Sequence, residues 1–300
     1  MWSKVLRVSL IVVFFGTLLA AGFFILAIIL LGDRTEPSPD VLRSDSREAP
    51  VIVRNDWNRY LDSCQVQGSI TIYNLKADEW YTSDTADMNV QTLPASTFKI
   101  LNTLILLEED AAASEKDSIY WPVDYDTARY GHRPDIYHSM PLQEAFRKSA
   151  GWAYIELAKK VSKDTYLDYF DRIGYGNGDL SVSGTDFWNF GPFGVSPREQ
   201  ISTVKGIYQR AFPFSHAHYL ILSDMMVAER GDEYIVRAKT GWTRAEGRDT
   251  GWWVGYLEGR GDTWFFATRI IKDRKTSNPG FGACRKDITR RVLQELNVVY

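Results

Sequence analysis

The most constraining feature of the chain is an uninterrupted apolar run from Val8 to Leu31. About 24 uncharged residues are enough to cross a hydrocarbon layer of ~30 Å as a helix. Lys4 and Arg7 precede the run, and basic residues favour the cytoplasmic side of a membrane. The sequence therefore predicts a cytoplasmic tip at 1–7, a transmembrane anchor at 8–31 and an extracytoplasmic remainder.

A cleaved signal peptide is the alternative interpretation of this run, and it would make the protein secreted. Signal peptides have apolar regions of about 7 to 15 residues followed by a small-residue cleavage site. Here the run is longer, and its small residues at Ala20-Ala21-Gly22 lie in its middle. The length favours an uncleaved membrane anchor.

Composition limits the classes of partner that we expect for the rest of the chain. The sequence is 45% hydrophobic and 24% charged, as is typical of globular proteins. A formal net charge of -3 provides no basic excess to neutralise phosphates, so we expect no nucleic-acid partner.

Cys64 and Cys284 either pair, if the two ends of the domain meet, or remain buried thiols. His216 and His218 form a pair on an expected strand, but no acidic cluster lies nearby and no metal site is predicted.

The residues after the apolar run divide into a linker and one domain. The stretch 32–54 is polar and contains prolines, which suits a linker. No repeat or second linker follows, so 55–300 is expected to form one domain. Alternating, β-branched segments predict strands, the last two joined by a turn at 259–262: Gly68–Tyr73, Tyr234–Lys239, Gly251–Leu257 and Thr263–Ile270.

The middle of the domain has a helical pattern instead. One helix is predicted over Ala145–Val161, and Ser196-Pro-Arg-Glu199 is a capping box that begins another. A final helix is expected over Asp287–Leu296. Strand, long helical middle, strands and a last helix predict an α+β fold, with an antiparallel sheet flanked by helices and a large helical insertion.

A serine and a lysine lie three residues apart at Ser96-Thr-Phe-Lys99, where a helix is expected to begin. On one helix face the amine can take the hydroxyl proton and activate the serine. Unpaired N–H groups at the helix N-terminus favour an anion nearby. Ser202-Thr-Val-Lys205 has the same spacing inside the helix that Ser196 caps, and there only packing is expected.

A second motif strengthens this interpretation, because Lys239-Thr240-Gly241 comes at the end of a predicted strand. Serine acyl-transfer enzymes with a Ser-x-x-Lys pair carry Lys-Thr-Gly on the strand beside the site. A backbone N–H near Trp242 can stabilise a developing oxyanion, while Lys239 and Thr240 suit a substrate carboxylate.

From about Asp56 to Asn297 the sequence resembles class D (oxacillinase-type) serine β-lactamases and the related sensor domains of penicillin receptors. The resemblance implies a serine β-lactamase/penicillin-binding transpeptidase-like fold. It rests on several separate motifs: Pro94-Ala-Ser-Thr-Phe-Lys-Ile100, Tyr175-Gly-Asn177, Phe187-Trp188, Gly191-Pro192, Ser196-Pro-x-Glu-Gln200, Ala238-Lys-Thr-Gly241, Gly251-Trp-Trp-Val-Gly255 and Phe281-Gly-x-x-Arg285.

The resemblance also implies a role for each matching residue. Ser96 is the acyl-accepting nucleophile, Lys99 the general base carboxylated by carbon dioxide, and Ser149 a proton shuttle. Trp188 supports the lysine carbamate. The substrate-binding residues are Lys239, Thr240, Gly241, Trp242 and Arg285, of which Arg285 holds the drug carboxylate by a two-pronged pair. No other cofactor is implied.

Two positions depart from the family pattern. The family has Ser-x-Val where this chain has Ser149-Ala150-Gly151, and leucine where this chain has Asn189. Carboxylation needs a neutral amine, which a dry pocket favours by lowering the lysine pKa. The sequence therefore predicts a wetter Lys99 and slower release of the acyl group, unless Trp152 or Phe190 fills the gap.

The resulting hypothesis is a membrane-anchored β-lactam hydrolase whose site faces the extracytoplasmic space. One alternative is a penicillin-binding sensor that is acylated without efficient turnover, and another is a D-Ala-D-Ala peptidase. Expected partners are β-lactam antibiotics or peptidoglycan stem peptides, together with the membrane through the N-terminal helix. A homodimer is left open.

Overall fold

The computed structural model describes residues 48–122, 124–130 and 132–298. The predicted cytoplasmic tip and anchor, and most of the predicted linker, lie outside these residues. No helix in the described ranges is long and apolar enough to span a membrane. Regular structure begins at Val51–Val53, inside the segment expected to be linker. These three residues form a strand because they pair with residues 80–82.

Seven strands form one sheet in the order β1-β3-β2-β9-β8-β7-β6, and β4 and β5 form a separate two-stranded ladder. The pair β1 and β3 is parallel and the other pairs are antiparallel. The sheet is therefore mixed, and the prediction of an antiparallel sheet is wrong at β1. A helix and a strand separate β1 from β3, and such a crossover permits parallel pairing. The strands are β1 (Val51–Val53), β2 (Gln67–Asn74), β3 (Glu79–Thr82), β4 (Ser118–Ile119), β5 (Met140–Pro141), β6 (Val227–Arg230), β7 (Tyr234–Ala245), β8 (Arg248–Gly259) and β9 (Asp262–Asp273).

Most of the helices lie between β3 and β6, as the predicted insertion requires. The helices are α1 (Asn58–Ser63), α2 (Lys99–Glu108), α3 (Thr127–Tyr130), α4 (Leu142–Lys148), α5 (Gly151–Ala158), α6 (Lys163–Ile173), α7 (Pro197–Gln209), α8 (His216–Met225) and α9 (Phe281–Glu295). The capping box at Ser196 and Glu199 is confirmed at the start of α7. His216 and His218 lie on α8, so the expected strand there is wrong.

The predicted helix over Ala145–Val161 is two helices. α4 ends at Lys148, Ser149 has a left-handed φ of 59°, and α5 begins at Gly151. A left-handed residue breaks the helical hydrogen-bond ladder, which a hydrophobic pattern does not reveal. Strand β7 also continues past its predicted end at Lys239 to Ala245, so the Lys-Thr-Gly motif lies within the strand.

Both faces of the sheet are covered, and adjacent residues of one strand supply the two cores. Trp252 packs into the core beneath the helical insertion, and Trp253 packs into the core beneath α1 and α9. Successive side chains of a strand point to opposite faces, so a Trp-Trp pair serves both layers.

A disulfide joins α1 to α9. Cys64 and Cys284 are bonded, with Cα atoms 6.1 Å apart. Cys284 precedes Arg285 in the first turns of α9. The alternative that both cysteines are free thiols is therefore wrong, because the two ends of the domain meet on one side of the sheet.

Candidate active site

Ser96 lies in a short 3-10 turn, Ala95–Phe98, that runs directly into α2. Ala95 has a φ of 51°, a left-handed conformation that a residue with a side chain rarely adopts. Its N–H donates to the Trp188 carbonyl at 2.9 Å, which ties the turn to a neighbouring loop. Such local strain persists only where surrounding contacts hold it, and it is concentrated at functional sites.

Lys99 is the first residue of α2 and its side chain reaches back to Ser96. Its Nζ lies 3.1 Å from Ser96 Oγ and 4.8 Å from the centre of the Tyr154 ring. The lysine is only 1% exposed. Burial disfavours the charged amine and lowers the pKa of Lys99 to about 7. The predicted Ser-Lys pair is therefore close in space, and its base is largely neutral near physiological pH.

The second Ser-x-x-Lys of the sequence is not organised in this way. Ser202 is exposed on α7. The amine of Lys205 lies 4.3 Å from the centre of the Tyr73 ring. The two Ser-x-x-Lys segments thus have the same spacing but different surroundings, and of the two it is Ser96 whose hydroxyl contacts a buried amine.

Ser149 and Lys239 form a second serine-lysine contact. The Nζ of Lys239 donates to Ser149 Oγ at 2.9 Å and to the Thr240 carbonyl at 2.9 Å. Lys239 is buried, and burial first, then the nearby charges of Lys99 and Arg285, lower its pKa well below the ordinary value. The left-handed conformation of Ser149 between α4 and α5 places its hydroxyl at this contact.

Strand β7 lies directly beside the turn that carries Ser96. Strand β6 pairs with β7 only at residues 235–237, so the stretch from Lys239 onward faces the turn. A Cβ added at Gly241 would come within 2.7 Å of the Pro94 carbonyl oxygen. Glycine is therefore required at this position to let the strand approach the nucleophile.

An aromatic cluster fixes Trp188. The Phe98 ring has six aromatic neighbours with ring centres within 6.3 Å: Tyr166, Phe170, Tyr175, Phe187, Trp188 and Phe193. The Trp188 indole N–H is buried and finds no hydrogen-bond acceptor among the described residues. A buried donor of this kind needs an acceptor, and here it lies in the loop that holds the Ser96 turn.

Arg285 closes the other end of the site. Its guanidinium donates to the Gly241 carbonyl and lies 5.7 Å from the centre of the Trp242 ring. Burial lowers its pKa to about 10. Its Nε is buried and without an acceptor in the part of the chain that the structure describes. Arg285 therefore has donor capacity that its described contacts do not use.

A cleft of about 370 Å³ unites the predicted residues. Three predicted residues reach the cleft through a neighbour. Lys99 contacts Ser96, Lys239 contacts Ser149, and the Trp188 carbonyl accepts from the N–H of Ala95. Six of the nine predicted residues line it directly: Ser96, Ser149, Thr240, Gly241, Trp242 and Arg285. The arrangement places a serine beside a lysine of lowered pKa, a second serine-lysine contact and a partly buried arginine in one site.

Comparison with known proteins identifies the family of this chain. The sequence profile of the penicillin-binding-protein transpeptidase domain matches residues 67–294. The β-lactamase OXA-2 of Salmonella typhimurium is 35% identical, over 72% of this chain and 76% of that one. This chain belongs to the class D β-lactamase family.

Two further relatives match more than four fifths of this chain. The crystal structure of a class D β-lactamase from Sebaldella termitidis has a TM-score of 0.79 and 33% identity, and it covers 85% of this chain and 100% of that one. The regulatory protein BlaR1 of Bacillus licheniformis is 24% identical, over 81% of this chain and 39% of its own length.

The two departures from the class D pattern both fall in the cleft. Gly151 and Asn189 line it, and a Cβ at Gly151 would meet only the Tyr125 hydroxyl, at 3.9 Å. The two expected substitutes make specific contacts with other residues. Trp152 donates to the Ile136 carbonyl at 2.7 Å, and Phe190 lies under the Arg129 guanidinium at 4.3 Å.

The prediction of a wetter Lys99 is nevertheless wrong, since the side chain is almost fully buried. Tyr154 lies over the amine, and its hydroxyl is 2.7 Å from Thr103 Oγ1 within the core. Tyr154 was not predicted from the sequence because it lies in no motif. Its place within the helix predicted over Ala145–Val161 was the available signal.

Proposed function

We propose that this class D family member hydrolyses β-lactams through an ester formed on Ser96. The observation that carries the proposal is the 3.1 Å contact between the buried Lys99 amine and the Ser96 hydroxyl. An amine with a pKa of about 7 is a competent base near neutral pH, whereas an ordinary lysine is protonated there. The relatives named as β-lactamases support the same reaction.

Acylation follows from the contacts in the cleft. Ser96 Oγ attacks the lactam carbonyl carbon while Lys99 takes the hydroxyl proton. The oxyanion faces backbone N–H groups of the Ser96 turn and of β7 near Trp242. The lactam C–N bond then breaks and its nitrogen receives a proton from Ser149. Ser149 regains a proton from the protonated Lys99, so that one proton passes from the nucleophile to the leaving group. Lys239, bonded to Ser149, holds that hydroxyl in place.

Deacylation uses the same base. A water molecule attacks the ester carbonyl carbon and gives a proton to Lys99, the ester C–O bond breaks, and Ser96 regains its hydroxyl proton. Water must reach the ester from the cleft, and both Gly151 and Asn189 border that space. Their small and polar side chains leave more room there than valine and leucine would.

The residues around Lys99 fit a carbamate. A neutral amine is required for reaction with carbon dioxide, and burial keeps Lys99 largely neutral. The unpartnered indole N–H of Trp188 is a donor suited to a carbamate oxygen. When present, the carbamate would supply an oxygen base in place of the amine.

We assign the orientation of the substrate to Arg285, at the cationic end of the cleft. Arg285 has unused donor capacity and, with Thr240, suits the carboxylate that penicillins and cephalosporins carry on the ring fused to the lactam. The partly desolvated guanidinium strengthens such a pair.

Steady-state and stopped-flow assays of a chromogenic cephalosporin test the proposal, with bicarbonate added or removed. We expect repeated turnover that bicarbonate stimulates. A single stoichiometric burst followed by a stall would assign the protein to the acylated sensors, a second candidate that the BlaR1 match favours. Absence of any acylation would refute both.

We also propose that the catalytic domain works outside the cytoplasm, held by residues 8–31. The Cys64–Cys284 disulfide suits an oxidising compartment. Cell fractionation with a protease-protection assay tests this. A domain that stays protease-resistant in intact spheroplasts and appears in the cytosol would contradict it.

A further inference from the structure

The cleft at Ser96 lies beside a second cavity of about 450 Å³, which we call the outer lobe. Asn189, Trp242 and Arg133 line both cavities, so the two adjoin. A β-lactam held at Ser96 has two ends, the ring carboxylate and the acyl side chain. If Arg285 takes the carboxylate, the outer lobe is the space that remains for the side chain.

The outer lobe is cationic. Arg129, His132, Arg133 and Arg244 line it, and none of its described lining residues is Asp or Glu. The whole chain, by contrast, carries a formal charge of -3. The lobe is therefore lined by basic residues although the chain as a whole is slightly acidic.

The carboxylates that hold these arginines lie outside the lobe. Arg133 makes a two-pronged pair with Asp135, with both N–O distances at 2.8 Å. Arg244 lies 3.3 Å from Asp249, whose second oxygen is 2.8 Å from Lys272. One carboxylate thus balances two cations, and the Arg244 side of the lobe keeps a positive excess.

The guanidinium groups remain available to a ligand. The side chains of Arg133 and Arg244 are 49% and 56% exposed. A guanidinium has five N–H donors, and the pairs described above use only one or two of them. The lobe also contains aromatic surface, since Phe190 lines it and Trp242 is 41% exposed.

From this combination we propose that the outer lobe is a second anion subsite, which favours β-lactams whose acyl side chain carries an aromatic ring and an acidic group. The inference rests on the proposed acylation of Ser96 and adds the substrate class. The aryl group lies against the aromatic surface, and the side-chain carboxylate pairs with Arg244 and its neighbours.

A matched pair of penicillins tests the inference. Benzylpenicillin and α-carboxybenzylpenicillin differ by one carboxylate on the side chain. The measured quantity is the ratio of their second-order acylation rate constants, α-carboxybenzylpenicillin over benzylpenicillin. Arg244→Gln should lower this ratio about 3- to 10-fold, as the loss of one charge-assisted pair at a partly exposed site implies. Raising the salt concentration should lower the wild-type ratio in the same direction, because screening weakens pairs near the surface.

Arg248→Gln is the matched control. Arg248 belongs to the same β7–β8 hairpin but lines a different cavity with Asp62 and Gln65. It removes the same charge from the chain and should leave the ratio unchanged. Lys272 still pairs with Asp249 when Arg244 is replaced, so the hairpin keeps that support.

The outcomes separate the two proposals. If neither penicillin acylates Ser96, the proposed function fails and this inference fails with it. If both acylate but Arg244→Gln leaves the ratio unchanged, or Arg248→Gln lowers it equally, only the anion subsite is refuted.

Discussion

The ring of Tyr154 lies over the amine of Lys99, with 4.8 Å between the ring centre and Nζ. The lysine is dry although the chain has glycine and asparagine at the two positions where its family has apolar residues. The low pKa of the base therefore depends on the core around Tyr154 as well as on the cleft wall.

Replacement of Tyr154 by alanine should expose Lys99 and raise its pKa from about 7 toward the ordinary 10.5. Because the neutral amine is the active form, the acid limb of the pH profile of acylation should move to higher pH. A core deletion of this size also lowers stability by about 3 to 5 kcal/mol. Tyr154→Phe is the control, since it keeps the ring and loses only the Thr103 contact. Equal profiles for both variants and the wild type would show that Tyr154 does not set the pKa.

Ser96→Ala should abolish covalent labelling by a fluorescent penicillin, because Ser96 carries the hydroxyl that contacts the Lys99 amine. The chain supplies its own control in Ser202, which has the same spacing from a lysine but is exposed on α7. Ser202→Ala should label as fully as the wild type. Gel fluorescence after denaturation measures both. Persistent labelling of Ser96→Ala would exclude Ser96 as the nucleophile.

Burial of Lys99 should make folding stability depend on pH. Its folded pKa of about 7 lies below the unfolded value of 10.5, so unfolding takes up a proton between these values. The wild type has its full free energy of unfolding above pH 10.5 and loses part of it as the pH falls to about 7. Lys99→Met removes this pH dependence. The free energy of unfolding of the variant should therefore rise by about 3 kcal/mol relative to that of the wild type between pH 9.5 and pH 6.

Urea unfolding in carbon dioxide-depleted buffer measures this difference. Lys116→Met is the control, because that side chain is 79% exposed. The two variants should diverge as the pH falls. Parallel stability curves for Lys99→Met and the wild type would contradict a buried neutral lysine.

The Cys64–Cys284 disulfide should stabilise the domain, since it closes a sequence separation of 220 residues. The chain-entropy account gives about 5 kcal/mol for a loop of this length. A Cys64→Ser, Cys284→Ser double variant should therefore unfold at a clearly lower denaturant concentration. Reductant should shift the wild type toward the variant and leave the variant unchanged. A wild-type midpoint insensitive to reductant would count against this contribution.

Sequence alone identified the two segments that could hold a serine-lysine pair. Ser96 and Lys99 are three residues apart, and helical periodicity brings such residues to one face whatever the rest of the chain does. Four of the nine described strands, β2, β7, β8 and β9, and the capping box at Ser196 were predictable for the same reason, because alternation and capping are local properties. The apolar run at 8–31 is equally local, and the anchor that it predicts stays a prediction.

Tertiary structure decided which of the two Ser-x-x-Lys segments is an activated pair. Burial lowers the pKa of Lys99 beside Ser96, while Ser202 remains in solvent on α7. It also decided the break at Ser149, the parallel pairing of β1 and the disulfide. Each of these depends on residues far apart in the chain, and hydrophobic pattern and spacing do not encode which distant groups exclude water from an amine.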